Sequence, residues 1–289
     1  MTMKNTSIKG YNLIRELGAG SYGEVYLVSN SKNETVVLKT LDEDDETAEN
    51  EREALIELNG INGIPPLLDY FHTRKHKCFI LPLGGTDLNA LRAKIPGRAF
   101  PVSMVHKTLF HLVKILQDMN ARGWLHGDIK ADNLVLHRET LQLTLIDFGF
   151  GFRFRDKNGN RVAWRSPIAD AIHSSPFADV YKKVTPLDDL MQAIFLGLQL
   201  RCLAKLIYDQ DFSKASAKKH KFIAQPRMYL PASELPIVFI YEKILVHKFE
   251  QEPDFDGVRT AIEDERRRAV GKRRPGFAYD AVADLLNFD

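Results

Sequence analysis

The sequence predicts an α+β fold of two lobes, with a strand-rich first lobe that contains one helix and a mainly helical second lobe. Short runs of strand-forming residues occupy the chain from about residue 11 to residue 83. Beyond that point apolar residues recur at helical spacing, most clearly from Val102 to Arg122. The two patterns meet at Gly84 and Gly85. We therefore place the lobes at about 11–83 and 84–289 of one domain, 1–289, and expect a ligand cleft between them.

The composition is that of an ordinary globular chain. Its 289 residues are 44% hydrophobic, enough to bury one substantial core or two smaller ones. With 40 basic and 38 acidic residues, the net charge of +2 favours neither nucleic acid nor membrane as a partner. Two cysteines, Cys78 and Cys202, are too few for a disulfide framework, which indicates a reducing compartment. We expect a cytoplasmic monomer without a signal peptide or a membrane span.

The elements of the first lobe follow from local patterns. Strands are predicted at Glu24–Val28, Thr35–Lys39 and Lys77–Leu81, which are rich in β-branched and apolar residues. One helix interrupts them near Glu49–Leu58, and the acidic run Asp42–Glu46 before it suits the positive end of a helix dipole.

The second lobe begins with the long helix at 102–122. Two short strands are predicted after it, at Leu134–Leu136 and Leu143–Ile146. An irregular stretch from Gly149 to Pro186 follows, and helices resume at Leu187. The short strands and the irregular stretch contain most of the polar motifs described below.

A glycine-rich segment near the start of the chain is a candidate phosphate-binding loop. It consists of Leu17, Gly18, Ala19, Gly20, Ser21, Tyr22, Gly23, Glu24 and Val25. Glycines let a strand–turn–strand approach phosphate oxygens closely and offer backbone N–H groups to them. Dinucleotide-binding loops have similar glycines but continue directly into a helix. Since 24–28 alternates like a strand, the segment favours a hairpin that covers phosphates.

Lys39 ends an apolar strand, Val36–Lys39. An ammonium group among apolar neighbours can bind the α- and β-phosphates of a nucleotide. The alternative is an ordinary surface lysine whose stem packs on the sheet. A functional lysine needs an acidic partner, for which we favour Glu51. Glu49 and Glu53 stay as alternatives, because one sequence does not fix the phase of the helix.

The octet His126–Asn133 combines three chemically complementary side chains in one short segment. Asp128 can accept or orient the proton of a hydroxyl group. Lys130, two residues later, can neutralise a phosphoryl group in transfer. Asn133 can offer its amide oxygen to Mg²⁺. We therefore assign Asp128, Lys130 and Asn133 to a candidate catalytic loop.

Asp147 follows a short apolar strand, nineteen residues after Asp128. Mg²⁺ prefers hard oxygen ligands and keeps several waters, so two protein ligands suffice. We predict that Asp147 and Asn133 are these ligands and count Asp147 among the catalytic residues.

In this order, the motifs form the signature set of protein kinases. The sequence resembles eukaryotic-type protein kinases over nearly its whole length. It is most similar to the casein kinase one family, including the tau-tubulin kinase branch, in four stretches: Gly60–Pro65, Leu81–Leu91, Asp188–Leu190 and Glu252–Asp256. The resemblance implies a bilobal protein kinase fold and transfer of the γ-phosphate of ATP, with Mg²⁺, to serine or threonine hydroxyls of protein substrates.

The resemblance also implies positions around the nucleotide. Leu81 corresponds to the gatekeeper beside the adenine. The carbonyl of Pro82 and the N–H of Gly84 correspond to the backbone groups that form hydrogen bonds with the adenine edge. Asp189 corresponds to a buried aspartate that supports the catalytic loop. Three valines are implied to sandwich the ring: Val25, Val37 and Val135.

Three departures from the family pattern matter. Gly127 stands where most protein kinases have arginine. The chain has no Ala-Pro-Glu after the activation segment, which the casein kinase one family also lacks. The arginine that this family uses for primed acidic substrates falls on Ile172, within a stretch aligned at 169–173. The family's substrate preference therefore does not carry over.

Two other functions remain as alternatives. Small-molecule kinases also tend to have His-Gly-Asp in the catalytic loop, but Lys130 and the complete glycine loop favour a protein substrate. Lys130 likewise favours serine or threonine over tyrosine. A pseudokinase scaffold would be expected to lack one of the key residues, and none is missing. The basic runs Arg266–Arg268 and Lys272–Arg274 indicate either a nuclear address or, as we favour, a solvated helix face and tail.

Overall fold

The computed structural model of the chain describes residues 7–20, 23–162, 175–176, 184–245 and 252–270. Within them the strands are β1 (Ser7–Ile8), β2 (Tyr11–Gly20), β3 (Gly23–Ser29), β4 (Thr35–Asp42), β5 (Asp69–His72), β6 (His76–Pro82), β7 (Thr86–Asp87), β8 (Trp124–Leu125), β9 (Leu134–Leu136), β10 (Leu143–Leu145) and β11 (Phe152–Arg153). The α-helices are α1 (Thr47–Glu57), α2 (Leu88–Lys94), α3 (Val102–Ala121), α4 (Pro186–Leu200), α5 (Phe212–Ala224), α6 (Pro226–Tyr229), α7 (Leu235–Leu245) and α8 (Phe255–Val270). This is the predicted α+β fold, with a strand-rich first lobe and a helical second lobe.

The first lobe is an antiparallel sheet of six strands in the order β1-β2-β3-β4-β6-β5. Side chains alternate between its two faces, so β4 buries Val36 and Leu38 on one face and directs Val37 and Lys39 to the other. The first face forms a small core of its own with neighbours from β3, β5 and β6. The second face is left for α1 and for the cleft between the lobes.

Helix α1 begins two residues before the predicted start. Asp45 sets this boundary, because its Oδ1 accepts hydrogen bonds from the Thr47 backbone N–H at 2.8 Å and from the Thr47 hydroxyl at 2.6 Å. The buried residues of α1 are Ala48, Glu51, Ala54 and Leu55. Their spacing of three and four places them on one helical face, so a glutamate lies on the face that packs against the sheet.

The second lobe is organised around α4, nearly all of whose residues are buried, as expected for a helix surrounded by other elements. Thr185 and Asp188 form a capping box at its start, followed by Pro186 in the first turn. Helices α3, α2 and α7 pack against α4, and α8 packs on α3. Among the described helices, none combines the length and apolar character that a bilayer span requires.

Two small sheets connect the core to the cleft. Strands β10, β9 and β7 pair in that order, and β11 pairs with β8. The polar octet at 126–133 lies between β8 and β9, and Asp147 follows β10 after one residue. The two motifs lie side by side, because the Ile146 N–H donates to the Asn133 carbonyl at 2.9 Å.

Candidate active site

The first-lobe face of the cleft is lined by residues from three adjacent strands. Val25 of β3 pairs with Lys39 of β4, and Val37 of β4 pairs with Leu81 of β6. Directly paired residues of antiparallel strands share a face, and Val37 shares it with Lys39 two residues later. These four half-buried side chains therefore line one surface, as the adenine and phosphate assignments require.

The link between the lobes lies against the second-lobe strand β9. A Cβ on Gly84 would lie 2.8 Å from Cγ2 of Val135, which is closer than side-chain carbons approach. Position 84 therefore accepts only glycine without a shift of Val135. Leu81 and Pro82 are the last residues of β6, and Gly84 follows two residues later against Val135 of β9. The contacts of these four residues with an adenine ring stay a prediction.

The glycine-rich segment is the hairpin formed by β2 and β3. Gly18 pairs with Val25, and Gly20 pairs with Gly23. Gly23 has φ +120°, and a Cβ there would collide with the carbonyl oxygen of Thr40. The dinucleotide alternative fails, since a strand and no helix follows the glycines. Ser21 and Tyr22 lie outside the described residues.

Lys39 lies between two carboxylates. Its Nζ is 2.6 Å from Glu51 Oε2 and 2.9 Å from Asp147 Oδ1. Burial lowers the pKa of Lys39, but the two carboxylates outweigh burial and the net pKa lies above the usual value. Burial raises the pKa of Asp147, and Lys39 more than offsets this, so the net pKa is below the usual value. Both groups are therefore charged at neutral pH.

The structure decides among the three candidate glutamates. Glu51 is 1% exposed and contacts Lys39. Glu49 lies at the surface and accepts a hydrogen bond from the Tyr70 hydroxyl at 3.0 Å, and Glu53 is exposed. The favoured pairing of Lys39 with Glu51 is therefore present, and the alternatives Glu49 and Glu53 are excluded by the helical phase.

The candidate catalytic residues converge on one oxygen of Asp128. Lys130 Nζ donates to Asp128 Oδ2 at 2.6 Å, and Asn133 Nδ2 donates to the same oxygen at 3.0 Å. Asn133 also donates to the backbone carbonyl of Asp128 at 2.9 Å. Within the described part of the chain, Oδ1 of Asp128 accepts no hydrogen bond. That oxygen is therefore available to a substrate hydroxyl.

The backbone of this loop is supported from α4. The buried Asp189 accepts hydrogen bonds from the N–H groups of His126 at 2.8 Å and Gly127 at 2.9 Å, as the resemblance implied. Gln192 accepts from Ile129 N–H at 2.7 Å and donates to the Gly127 carbonyl at 3.0 Å. Gln192 was not predicted from the sequence, although its position three residues after Asp189 places both side chains on one helical face.

His126 joins the two motifs of the second lobe. Its Nδ1 accepts from the Asp128 N–H at 3.2 Å, and its Nε2 lies 3.1 Å from the carbonyl oxygen of Ile146. Since Nδ1 is the acceptor, Nε2 carries the hydrogen and donates a hydrogen bond to the carbonyl oxygen of Ile146. The ring also packs edge-on against the fully buried Phe148, with centroids 5.0 Å apart. The catalytic loop and Asp147 are thus fixed relative to each other.

The donor set suits a magnesium ion. Asp147 is ionised, its Oδ1 contacts Lys39, and its side chain is 25% exposed. Asn133 uses Nδ2 as a donor to Asp128, which leaves its oxygen as the atom that can bind a cation. One carboxylate and one amide oxygen, completed by waters and phosphate oxygens, are a usual Mg²⁺ environment.

In the irregular stretch from Gly149 to Pro186, residues 163–174 and 177–183 lie outside the described residues. They include 169–173 with Ile172, and the candidate phosphorylation sites Ser166 and Ser174. Ser175 is buried and its hydroxyl donates to Asp188 Oδ1. Thr185 is 2% exposed and its hydroxyl contacts Asp188 Oδ2 at 2.9 Å. Both hydroxyls are therefore engaged in structural hydrogen bonds with one aspartate.

The comparisons with known proteins agree with this geometry. A family model described as "Protein kinase domain" matches residues 11–168. The Caenorhabditis elegans protein "Serine/threonine-protein kinase spe-6" is 26% identical over 204 residues, which cover 66% of this chain and 52% of the relative. The chain thus spans about half the length of that curated relative. The solved structure of vaccinia related kinase 3 superimposes with a TM-score of 0.76 at 18% identity, covering 93% of each chain, which shows a shared fold.

Proposed function

The chain belongs to the protein kinase domain family, and from this premise we propose that it is an active kinase that transfers the γ-phosphate of ATP to serine or threonine hydroxyls of proteins. One observation carries the proposal. Lys39, Asp128, Asn133 and Asp147 are all present. Lys39 contacts Asp147, Asn133 contacts Asp128, and a backbone hydrogen bond from the Ile146 N–H to the Asn133 carbonyl at 2.9 Å holds the two pairs next to each other. The relative named as a serine/threonine-protein kinase supports the same substrate class.

Asp128 acts on the substrate hydroxyl. Its free Oδ1 accepts the hydroxyl hydrogen and orients the oxygen toward the γ-phosphorus. As the new O–P bond forms, the bond between phosphorus and the β,γ-bridging oxygen breaks, the proton passes to Asp128, and ADP leaves. The Asp128 orientation needed for this is fixed by Lys130 and Asn133, which both contact its other oxygen.

The remaining residues act on charge. Lys39 would contact the α- and β-phosphates, and Lys130 would neutralise the phosphoryl group in transfer. Burial lowers the pKa of Lys130, but Asp128 outweighs it and the net pKa lies above the usual value. A Mg²⁺ ion held by Asp147 and Asn133 would offset the charge of the phosphate oxygens. Since phosphoryl transfer depends mostly on positioning and charge stabilisation, these groups account for its main requirements.

Lys130 also separates this proposal from a small-molecule kinase. It lies two residues after the catalytic aspartate and contacts it directly, which is the arrangement expected for a serine/threonine protein kinase. Placement in the casein kinase one branch rests on the four stretches of sequence similarity and belongs to the proposal. So do the individual protein substrates, because the chain spans only about half of its curated relative.

A peptide array tests the proposal. The chain would be incubated with Mg²⁺ and ATP labelled on the γ-phosphate, over peptides that differ only in a serine, threonine or tyrosine acceptor. We expect label on serine and threonine peptides, and its loss in Asp128→Asn. Isothermal titration should show tighter binding of Mg·ATP than of metal-free ATP. Binding of Mg·ATP without transfer to any protein or peptide would favour the pseudokinase alternative.

A further inference from the structure

The carboxyl end of α1 has an unfavourable charge pattern of its own. Its last residue is Glu57, and no basic residue lies in its last turn. The carboxyl end of a helix carries a partial negative charge and unpaired carbonyl groups, so an acidic side chain there is repelled and a cation is favoured. The electrostatics of the isolated helix therefore disfavour a glutamate at this position.

The compensating groups come from the second lobe. Arg153 forms an ion pair with the Glu57 carboxylate, with the two side chains 23% and 20% exposed. Trp124 Nε1 donates to Glu57 Oε2 at 2.8 Å. Arg122 Nη1 donates at 2.8 Å to the carbonyl oxygens of both Glu57 and Asn59. We call Glu57, Arg122, Trp124 and Arg153 the α1 anchor.

The anchor joins the three segments that must be aligned for phosphoryl transfer. Arg153 lies in β11, six residues after Asp147. Trp124 lies in β8, four residues before Asp128. Glu57 lies on the helix that carries Glu51. Each second-lobe member is thus close in the chain to a candidate catalytic residue, while the first-lobe member lies near the partner of Lys39.

Helix geometry connects the anchor to the nucleotide site. Glu51 and Glu57 are six residues apart on one helix, about 9 Å along its axis. An outward movement of α1 that separates Glu51 from Lys39 would also pull Glu57 away from Arg153 and Trp124. Breaking the anchor costs a partly buried ion pair and a hydrogen bond to a charged group.

We propose that Glu57 and Arg153 are positioning residues that keep α1 in the arrangement in which Glu51 contacts Lys39. The inference rests on the proposed kinase function and names how the site stays assembled. Gly127 lacks the side chain with which an arginine could bind a phosphorylated activation segment. In this protein the carboxylate of Glu57 supplies a negative charge to Arg153, and it does so without phosphorylation.

The test compares matched neutralising variants. Glu57→Gln and Arg153→Met each remove one charge of the pair, and Glu53→Gln removes the same charge from an exposed position one turn earlier on α1. Arg153→Lys keeps the charge. For each variant, kcat and KM for ATP would be measured well below its Tm, together with hydrogen exchange of the α1 amides.

We expect Glu57→Gln and Arg153→Met each to lower kcat/KM for ATP about tenfold and to speed α1 exchange about tenfold. The double variant should be no worse than either single one, because both remove one interaction. Arg153→Lys should recover most of the activity, and Glu53→Gln should match the wild type.

Unchanged kcat and KM with a lowered Tm would reduce the pair to a structural role and overturn the proposal. Additive losses in the double variant would also contradict it. If the wild type transferred no phosphate, the proposed function would fail, and α1 exchange with the affinity for Mg·ATP would still decide the anchor. If Glu57→Gln and Arg153→Met then had the same α1 exchange rate and the same affinity for Mg·ATP as Glu53→Gln, the proposed role of the anchor would be refuted.

Discussion

The two oxygens of Asp128 have different surroundings, and this makes Asp128→Asn a sharp test of the catalytic loop. Lys130 and Asn133 both donate to Oδ2. The amide oxygen of an asparagine can take the place of Oδ2 and keep both contacts. Its NH₂ group then takes the place of Oδ1, which is the oxygen that would accept the substrate proton. The substitution therefore removes the base while preserving the neighbouring geometry.

The size of the effect follows from this exchange. General-base contributions are about 10²–10⁴-fold, or roughly 3–5 kcal/mol of barrier. We expect kcat to fall by that factor. Since Asp128 lies away from the predicted adenine and triphosphate contacts, the Kd for Mg·ATP should stay within a few-fold. The Tm should change by only about 1–2 °C, because neither contact to Oδ2 is lost.

The assay combines steady-state phosphotransfer to a preferred peptide with titration of Mg·ATP and thermal unfolding. Asp132→Asn is the matched control, since Asp132 is an exposed acid in the same loop that accepts from Asn89 at 3.0 Å. It should keep kcat within a few-fold. Near-full phosphotransfer by Asp128→Asn would refute the assignment of the base. A Tm drop of more than about 5 °C would refute the geometric argument.

The buried charges and the glycine of the catalytic loop give three further predictions. Lys39→Met leaves Glu51 buried without its cation, so it should weaken Mg·ATP binding and lower the free energy of unfolding by about 3–5 kcal/mol. Adding Glu51→Gln should restore the stability but not the binding of Mg·ATP. A Lys39→Met variant as stable as the wild type would contradict this. Burial lowers the pKa of His106 to about 4, so below pH 6.5 the unfolded chain binds a proton that the folded chain does not. Between pH 7 and pH 5, urea titrations should show that the wild type loses about 2 kcal/mol more unfolding free energy than His106→Gln does, and equal changes in the two proteins would exclude a contribution from His106. Because Gly127 offers no charge to a phosphate, bacterially expressed, phosphatase-treated protein should be active; inactivity reversed by phosphorylation would show otherwise.

Local patterns were sufficient for the fold and for selecting most of the residues that the structure brings together at the candidate site, whose roles stay predictions. The strand at Thr35–Lys39 and the helix at 102–122 were predicted within a few residues of β4 and α3, because alternation and helical spacing record directly which faces are buried. The octet at 126–133 could be assigned for a different reason. Its residues act within a few positions of one another, so their chemistry is visible in one short segment.

Contacts between distant segments could not be predicted in this way. The choice of Glu51 over Glu49 and Glu53 depends on the rotation of α1 against the sheet, which no single segment records. Glu57 and Arg153 are 96 residues apart, and the sequence around either residue does not indicate that the two are in contact. One signal was available in the sequence, namely an acidic residue at the carboxyl end of a predicted helix, where a partner from elsewhere is needed.

The conformation of Gly127 limits how this protein could change in evolution. Its φ is +78°, and a Cβ would lie 3.1 Å from the carbonyl oxygen of Phe150. Replacement by arginine would cost about 1–2 kcal/mol for the left-handed backbone alone, before the contact with Phe150 is relieved. A lineage starting from this sequence could therefore not acquire the phosphate-binding arginine by one neutral substitution. The backbone between His126 and Asp128 would have to change first, so control by phosphorylation would arise more easily at another surface.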